Sequence, residues 1–168
     1  MVNNIKTDIT AGALLKNNDN YLLLLRSPNR SFAPNLWSFV GGHIEENELD
    51  DPFEACIREI KEEAGIDRKD ITNLKLRYII LRKHKNIIRQ SFVYFGETDV
   101  KELVQTDEGI LHWVPKNELL NKEYTKTFME MMKHYVNTPD LEENIIVGIA
   151  GKHENGLKMH WSKLEDFE

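Results

Sequence analysis

Apolar and polar positions divide the chain into an alternating series of strand-like and helix-like segments. Residues 7–16 and 20–26 are apolar runs around Asn17-Asn18-Asp19-Asn20, which predicts a β-hairpin. Residues 27–35, rich in Ser, Pro and Asn, predict a loop, and Leu36-Trp37-Ser38-Phe39-Val40 a short strand entering Gly41 and Gly42. A helix is predicted over 52–64, with Phe53, Cys56, Ile57, Ile60 and Ala64 on one apolar arc. Longer strands follow over about 73–83 and 87–97, joined at His84-Lys85-Asn86, then a short strand over 110–114. Residues 117–121 and 124–136 read as helical, the second packing through Phe128, Met131, Met132 and Tyr135, and Pro139 ends that region. In the tail, 144–151 and 157–161 flank Glu154-Asn155-Gly156 as a further hairpin. Ile145 to Ile149 is too apolar for a free segment, and a lone hairpin is marginal in water, so it must dock on its own sheet or on a second subunit. The pattern is α/β.

The helix over 52–64 carries its own punctuation. Asp51-Pro52-Phe53-Glu54 reads as N-cap, first-turn proline and capping-box acid, and Gly65 as the left-handed residue past the end. With Glu59 set at 0°, Glu63 falls at about 40°, Glu62 at about −60° and Ala55 at about −40°. The three acids therefore share one face, where Ala55 leaves room for a ligand, while the next arc packs on a core. Arg58 borders the acids and lies four residues before Glu62, a pairing distance on a helix. Three carboxylates in one turn are costly without a cation, and an all-oxygen donor set selects a hard divalent metal.

Charge sharpens this reading. The 168 residues are 40% hydrophobic and 30% charged, with a net charge of −6, the composition of one soluble domain with a single core. Residues 45–63 alone contribute −7, so the acidity is local and the remainder carries +1. No general binding of DNA or RNA is expected, no apolar run is long enough to cross a bilayer, and the N-terminus is not signal-like. One cysteine fits a reducing, cytoplasmic compartment. The histidines lack zinc-type spacing.

Gly42-x5-Glu48 and Arg58-Glu59-Ile60-x-Glu62-Glu63-x-Gly65-Ile66 resemble the Nudix box, Gly-x5-Glu-x7-Arg-Glu-U-x-Glu-Glu-x-Gly-U with U aliphatic. Nine residues rather than seven separate Glu48 from Arg58, so Leu49-Asp50 reads as an insertion ahead of the helix that leaves the register of the acid face unchanged. Flanking features extend the likeness over about 7–136. The resemblance implies an α/β/α sandwich, a mixed β-sheet flanked by helices. The chain 1–168 is expected to form one such domain, with a core over about 7–136 and an added C-terminal β-hairpin over about 140–168.

The resemblance also implies a chemistry, hydrolysis of a phosphoanhydride in a nucleoside diphosphate derivative with Mg²⁺ or Mn²⁺. Glu59, Glu62, Glu63 and the Gly41 carbonyl are the expected metal ligands, with Glu45 a further candidate. Arg58 fixes the acids. The base is expected to be Glu108, in Thr106-Asp107-Glu108-Gly109, or else Glu59 or Glu62. Arg26, at the end of a leucine-rich strand, and His43 are expected to meet substrate phosphate. The tip Arg82-Lys83-His84-Lys85 with Arg89 is either a phosphate clamp or a charged hairpin end. Trp37, Phe39, Tyr78 and Phe92 either stack on a base or pack in the core.

A nucleoside triphosphate pyrophosphohydrolase, including one acting on oxidised nucleotides, is the leading expectation. ADP-ribose or nucleotide-sugar hydrolysis and a non-catalytic nucleotide-binding domain are the alternatives. An isopentenyl diphosphate isomerase activity needs a cysteine in the cleft, and Cys56 lies on the apolar arc. The expected partner is a small nucleotide, bound by a monomer or a homodimer.

Overall fold

The computed structural model describes residues 4–104, 106–138, 144–154 and 156–167. Strands β1 (Lys6–Asn17) and β2 (Asn20–Arg26) form the first hairpin, turning through Asn18 at φ 51°, a conformation asparagine tolerates. The two strands pair only at the turn, Lys16 with Tyr21 and Asn17 with Asn20, and then splay apart. The following segment fills the opening. Here the structure departs from the single strand expected over 36–40. β3 (Trp37–Ser38) pairs with β2, and β4 (Val40–His43) pairs with β1 and includes both glycines. Close approach explains the glycines. Gly41 lies opposite Gly12 at φ +152°, and a Cβ on Gly41 would stand 2.4 Å from the Ala11 carbonyl oxygen.

Strands β5 (Ile71–His84) and β6 (Ile87–Thr98) form the long antiparallel hairpin, and β7 (Gly109–Pro115) pairs with β2. β1 runs parallel to β6, which makes the sheet mixed. The tail forms β8 (Ile145–His153) and β9 (Gly156–Leu164), longer strands than expected. β8 docks parallel to β5 of its own chain, from Tyr78 opposite Ile146 to Leu81 opposite Ile149. The sheet order is then β3-β2-β1-β6-β5-β8-β9, with β4 on β1 and β7 on β2. Trp161 covers Gly148, where a Cβ would lie 2.3 Å from the indole. Pro139 and Asn155, expected to break the chain and to form the last turn, lie outside the described residues.

Alternation along the strands makes two cores. Leu14, Leu23, Tyr78 and Val93 face helix α2 (Lys126–Asn137), joined by Phe128, Met131 and Met132. Ala13, Leu15, Leu22 and Leu24 face helix α1 (Pro52–Ala64), joined by Cys56, Ile60 and Ala64. The sheet between helices is the expected sandwich. α1 begins and ends as its sequence indicates, with the Asp51 carboxylate accepting from the Glu54 N–H at 3.1 Å and Gly65 at φ +71°. Two details differ. The Glu54 carboxylate accepts from Arg68 instead of closing a capping box. Ala55 is buried in the α1 core, because a helix laid on a sheet covers an arc wider than its apolar stripe. Among the described residues no helix is long and apolar enough to cross a membrane.

Candidate active site

The last two turns of α1 stand beside β4. Although Glu59, Glu62 and Glu63 share a face, their exposure differs: Glu59 and Glu63 are buried, at 9% and 7%, and Glu62 is exposed. Gly42 makes this possible, since a Cβ there would stand 2.6 Å from both Glu59 carboxylate oxygens. Glu63 Oε2 accepts from the Gly41 N–H at 2.8 Å. Arg58 is the hub, donating to Glu59 Oε1 at 2.8 Å, to Glu62 Oε2 at 2.9 Å and to the His43 carbonyl at 3.1 Å. It also grips Glu48 bidentately, at 2.8 and 2.9 Å. That grip places Glu48 despite the insertion. Glu48 also accepts from the Glu45 N–H at 3.1 Å, so the capping box sits at Glu45 and Glu48, ahead of the helix expected to carry it.

The electrostatics follow from burial. Burial pushes the Glu63 carboxyl up to about 7, against the Gly41 N–H, which favours its ionised form. Burial also raises Glu59, despite its bond to Arg58. The bond to Arg58 holds Glu48 below the usual carboxylate range. Cys56 is buried and its thiol is pushed far up, which removes it as a nucleophile.

Across the cleft, Arg26 at the end of β2 donates to the Phe32 carbonyl at 3.2 Å. Burial and neighbouring Arg30 lower its pKa, and the charges of Glu108 and Glu63 oppose this. Glu108 precedes β7, and its Oε1 accepts from Arg30 at 2.7 Å. His43 lies at the rim, 3.1 Å from Asp8 Oδ1. All these residues except Glu48, Cys56 and Asp8 line one cleft of about 630 Å³. The aromatics divide. Trp37 and Phe39 line the cleft, Tyr78 is fully buried beneath α2, and Phe92 packs in the α1 core. The basic hairpin divides too: Arg82 and Arg89 line the cleft, while Lys83, His84 and Lys85 do not. Sequence reasoning missed Phe32, whose ring lies 5.5 Å from the Arg82 guanidinium and 5.2 Å from that of Arg89. Its only signal was an aromatic residue in a Ser-, Pro- and Asn-rich loop. Also missed were Arg30 and the pairing of Asp8 with Arg89.

The sequence profile of the NUDIX domain matches residues 6–135, most of the chain. The chain belongs to the NUDIX family. Similar proteins include an 8-oxo-dGTP diphosphatase from Proteus vulgaris, 36% identical over 74 residues, which are 44% of this chain and 63% of that protein. An RNA pyrophosphohydrolase from a Nitratiruptor species is 34% identical over 76 residues, 45% of this chain and 48% of that protein. This chain thus spans less than two thirds of the length of either relative. A MutT protein from Bacillus halodurans superposes with a TM-score of 0.67 at 22% identity, over 92% of this chain and 97% of its own. One from Methanosarcina mazei Go1 gives 0.63 at 23% identity, over 80% and 98%. At these identities the likeness is one of fold.

NUDIX hydrolases generally need divalent metal ions. Among the described residues no three carboxylate, imidazole or thiolate groups converge as a ready cage. Glu59 and Glu62 are turned to Arg58, and Glu63 to the Gly41 amide. The donors nevertheless fit such an ion. They are all oxygens, and the two buried carboxyls are held up in pKa by desolvation that a cation would offset.

Proposed function

We propose that this NUDIX protein is a nucleoside triphosphate pyrophosphohydrolase, with oxidised purine nucleotides in its range. The observation that carries this reading is the burial of Glu59 and Glu63 against the β4 glycines, in a cleft that also holds Arg26, Arg30 and Glu108. The similarity to an 8-oxo-dGTP diphosphatase supports the substrate class.

Glu59, Glu62, Glu63 and the Gly41 carbonyl would hold Mg²⁺ or Mn²⁺. The ion would neutralise diphosphate charge and acidify a bound water. Arg58 donates to both Glu59 and Glu62 and fixes each in one rotamer. Arg26 meets the phosphate chain, because its guanidinium faces the cleft and, among the described residues, hydrogen-bonds to the Phe32 carbonyl alone. Glu108 takes the proton of the attacking water. Arg30 restrains its Oε1, and Oε2 has no hydrogen bond among the described residues. Trp37 and Phe39 form an apolar wall for the base. His43, committed to Asp8 at the rim, contributes to phosphate binding only when that contact opens.

A hydrolysis screen tests this reading. Nucleoside triphosphates, 8-oxo-dGTP, ADP-ribose and nucleotide sugars are incubated with Mg²⁺ or Mn²⁺, and the products are identified by mass. Monophosphate and pyrophosphate from triphosphates is the expected result. Turnover confined to ADP-ribose or sugars would replace it.

A further inference from the structure

Strand β8 is apolar on both faces, unlike β9 beside it. Ile146, Gly148 and Ala150 face α2, and Ile145, Val147 and Ile149 face the other way. β9 alternates: Leu157, Met159 and Trp161 point to the α2 core, while Lys158, His160 and Ser162 are exposed. A strand apolar on both faces is normally covered on both, and here one cover is missing. α1 packs over β1 and β4, and its core reaches only to Phe92 on β6. Beyond Phe92, Ile79 and Leu81 on β5 stand opposite Val147 and Ile149 on β8, and Ile145 stands opposite Leu164 on β9. These six side chains belong to neither core, and Ile149 and Leu164 are each 52% exposed. A contiguous aliphatic patch of this kind marks an interaction surface.

The charges around the patch select the partner. Lys158 and His160 lie at the Ile149 end of β9, and Glu165 and Asp166 follow Leu164 at the Ile145 end. On β5, Lys83 adds to the basic end, and Arg77, at the bulge, is the exception at the other. Among the described residues none of Lys158, Glu165 and Asp166 forms an ion pair. A partner of one sign would match only one end. A second copy turned by half a revolution matches both. The strand register fixes where that axis falls. Ser162 is midway between Lys158 and Asp166, Val147 is midway between Ile145 and Ile149, and Ser162 stands opposite Val147. Ile79 is the next residue on the same line. One axis across three strands therefore sets Lys158 against Asp166 of the partner subunit and Ile149 against the partner's Ile145.

We propose that a second copy of this chain covers this face, with β8 packed antiparallel on its counterpart about a two-fold axis at Val147. The two sheets would stack about 10 Å apart, the ordinary spacing of a sandwich. The clefts stay open, because Ile80 and Val93 line them from the α2 side of the sheet. The dimer holds whether or not the protein is a pyrophosphohydrolase.

Sedimentation velocity of the full chain at low ionic strength tests this. The patch is at the small end of specific interfaces, so wild type should pass from monomer to dimer over about 1–100 µM. Ile149→Lys places a charge in the patch at an already exposed position and should leave a monomer throughout. Lys158→Glu and Asp166→Lys should each weaken the dimer by about tenfold, since each turns two rim attractions into repulsions. The double variant should return to within about threefold of wild type. Thermal melts of the charge variants should match wild type, because both side chains are exposed. Should Ile149→Lys misfold, the charge variants decide alone. A wild-type monomer at every concentration overturns the proposal, as does a dimer that a folded Ile149→Lys leaves intact. A dimer weakened in the single charge variants but not regained in the double variant overturns the two-fold arrangement.

Discussion

At the α1 end of the cleft three carboxylates share one guanidinium; at the β5–β6 end two guanidiniums share one carboxylate and one ring. The first end is short of positive charge, the second of negative charge. Both keep that imbalance where water is partly excluded, which raises its cost. The comparison teaches that a binding site shows first as an unsettled charge balance. The sign of the deficit indicates the charge each end would favour: positive beside Glu59 and Glu63, negative beside Arg82.

The largest test removes what settles the acid end. Chelation should abolish turnover, and Glu62→Gln and Glu63→Gln should each lower it by orders of magnitude at limiting Mg²⁺. Circular dichroism should show both variants folded, since Gln keeps the shape of Glu. Full activity in both would detach catalysis from α1. Next comes Glu108→Gln, expected to reduce kcat by about 10²–10⁴-fold. Metal affinity should hold, because Glu108 sits across the cleft. An unchanged kcat would return the base to Glu59 or Glu62.

A third test breaks the hub. Arg58→Met leaves the buried Glu59 without its counter-charge and should cost about 3 kcal/mol in urea unfolding. Added Mg²⁺ should recover part of this loss. Recovery by NaCl alone would indicate general screening instead. The smallest effect concerns pH. The folded-state pKa of Glu63, about 7, lies above its ordinary value of 4.5, so the folded metal-free protein binds this proton more tightly than the unfolded chain. Its stabilisation is full below about 4.5 and is lost as pH rises through about 7. The melting temperature of metal-free wild type should therefore fall over that window relative to Glu63→Gln, and excess Mg²⁺ should shrink the difference. Parallel curves would remove Glu63 from the pH response.

What the sequence disclosed follows the range of the interactions. The ends of α1 were legible because Asp51, Pro52 and Gly65 act within one turn of where they stand. The shared face of Glu59, Glu62 and Glu63 was legible for the same reason, but not their unequal burial, which depends on Gly42 from another strand. The division of 36–40 between two partners depends on β1 and β2 splaying apart, which no local pattern encodes. Phe32 meets Arg82 and Arg89 across half the sheet, and Asp8 meets Arg89 through parallel register. Such pairs carry no periodic signal. The tail hairpin was legible as amphipathic, but its seat on β5 was one of two open choices until the register with Tyr78 was seen.

The clamp between Glu48 and Arg58 has a consequence for the length of chain it spans. Both ends of the stretch between them are pinned, one by two hydrogen bonds and the other by the helix, while Leu49 and Asp50 are exposed and hold nothing in the cleft. Residues can be gained or lost there without turning the acid face by a degree. The stretch is a seam, where a change of length would leave Glu48 and the acid face on either side in register.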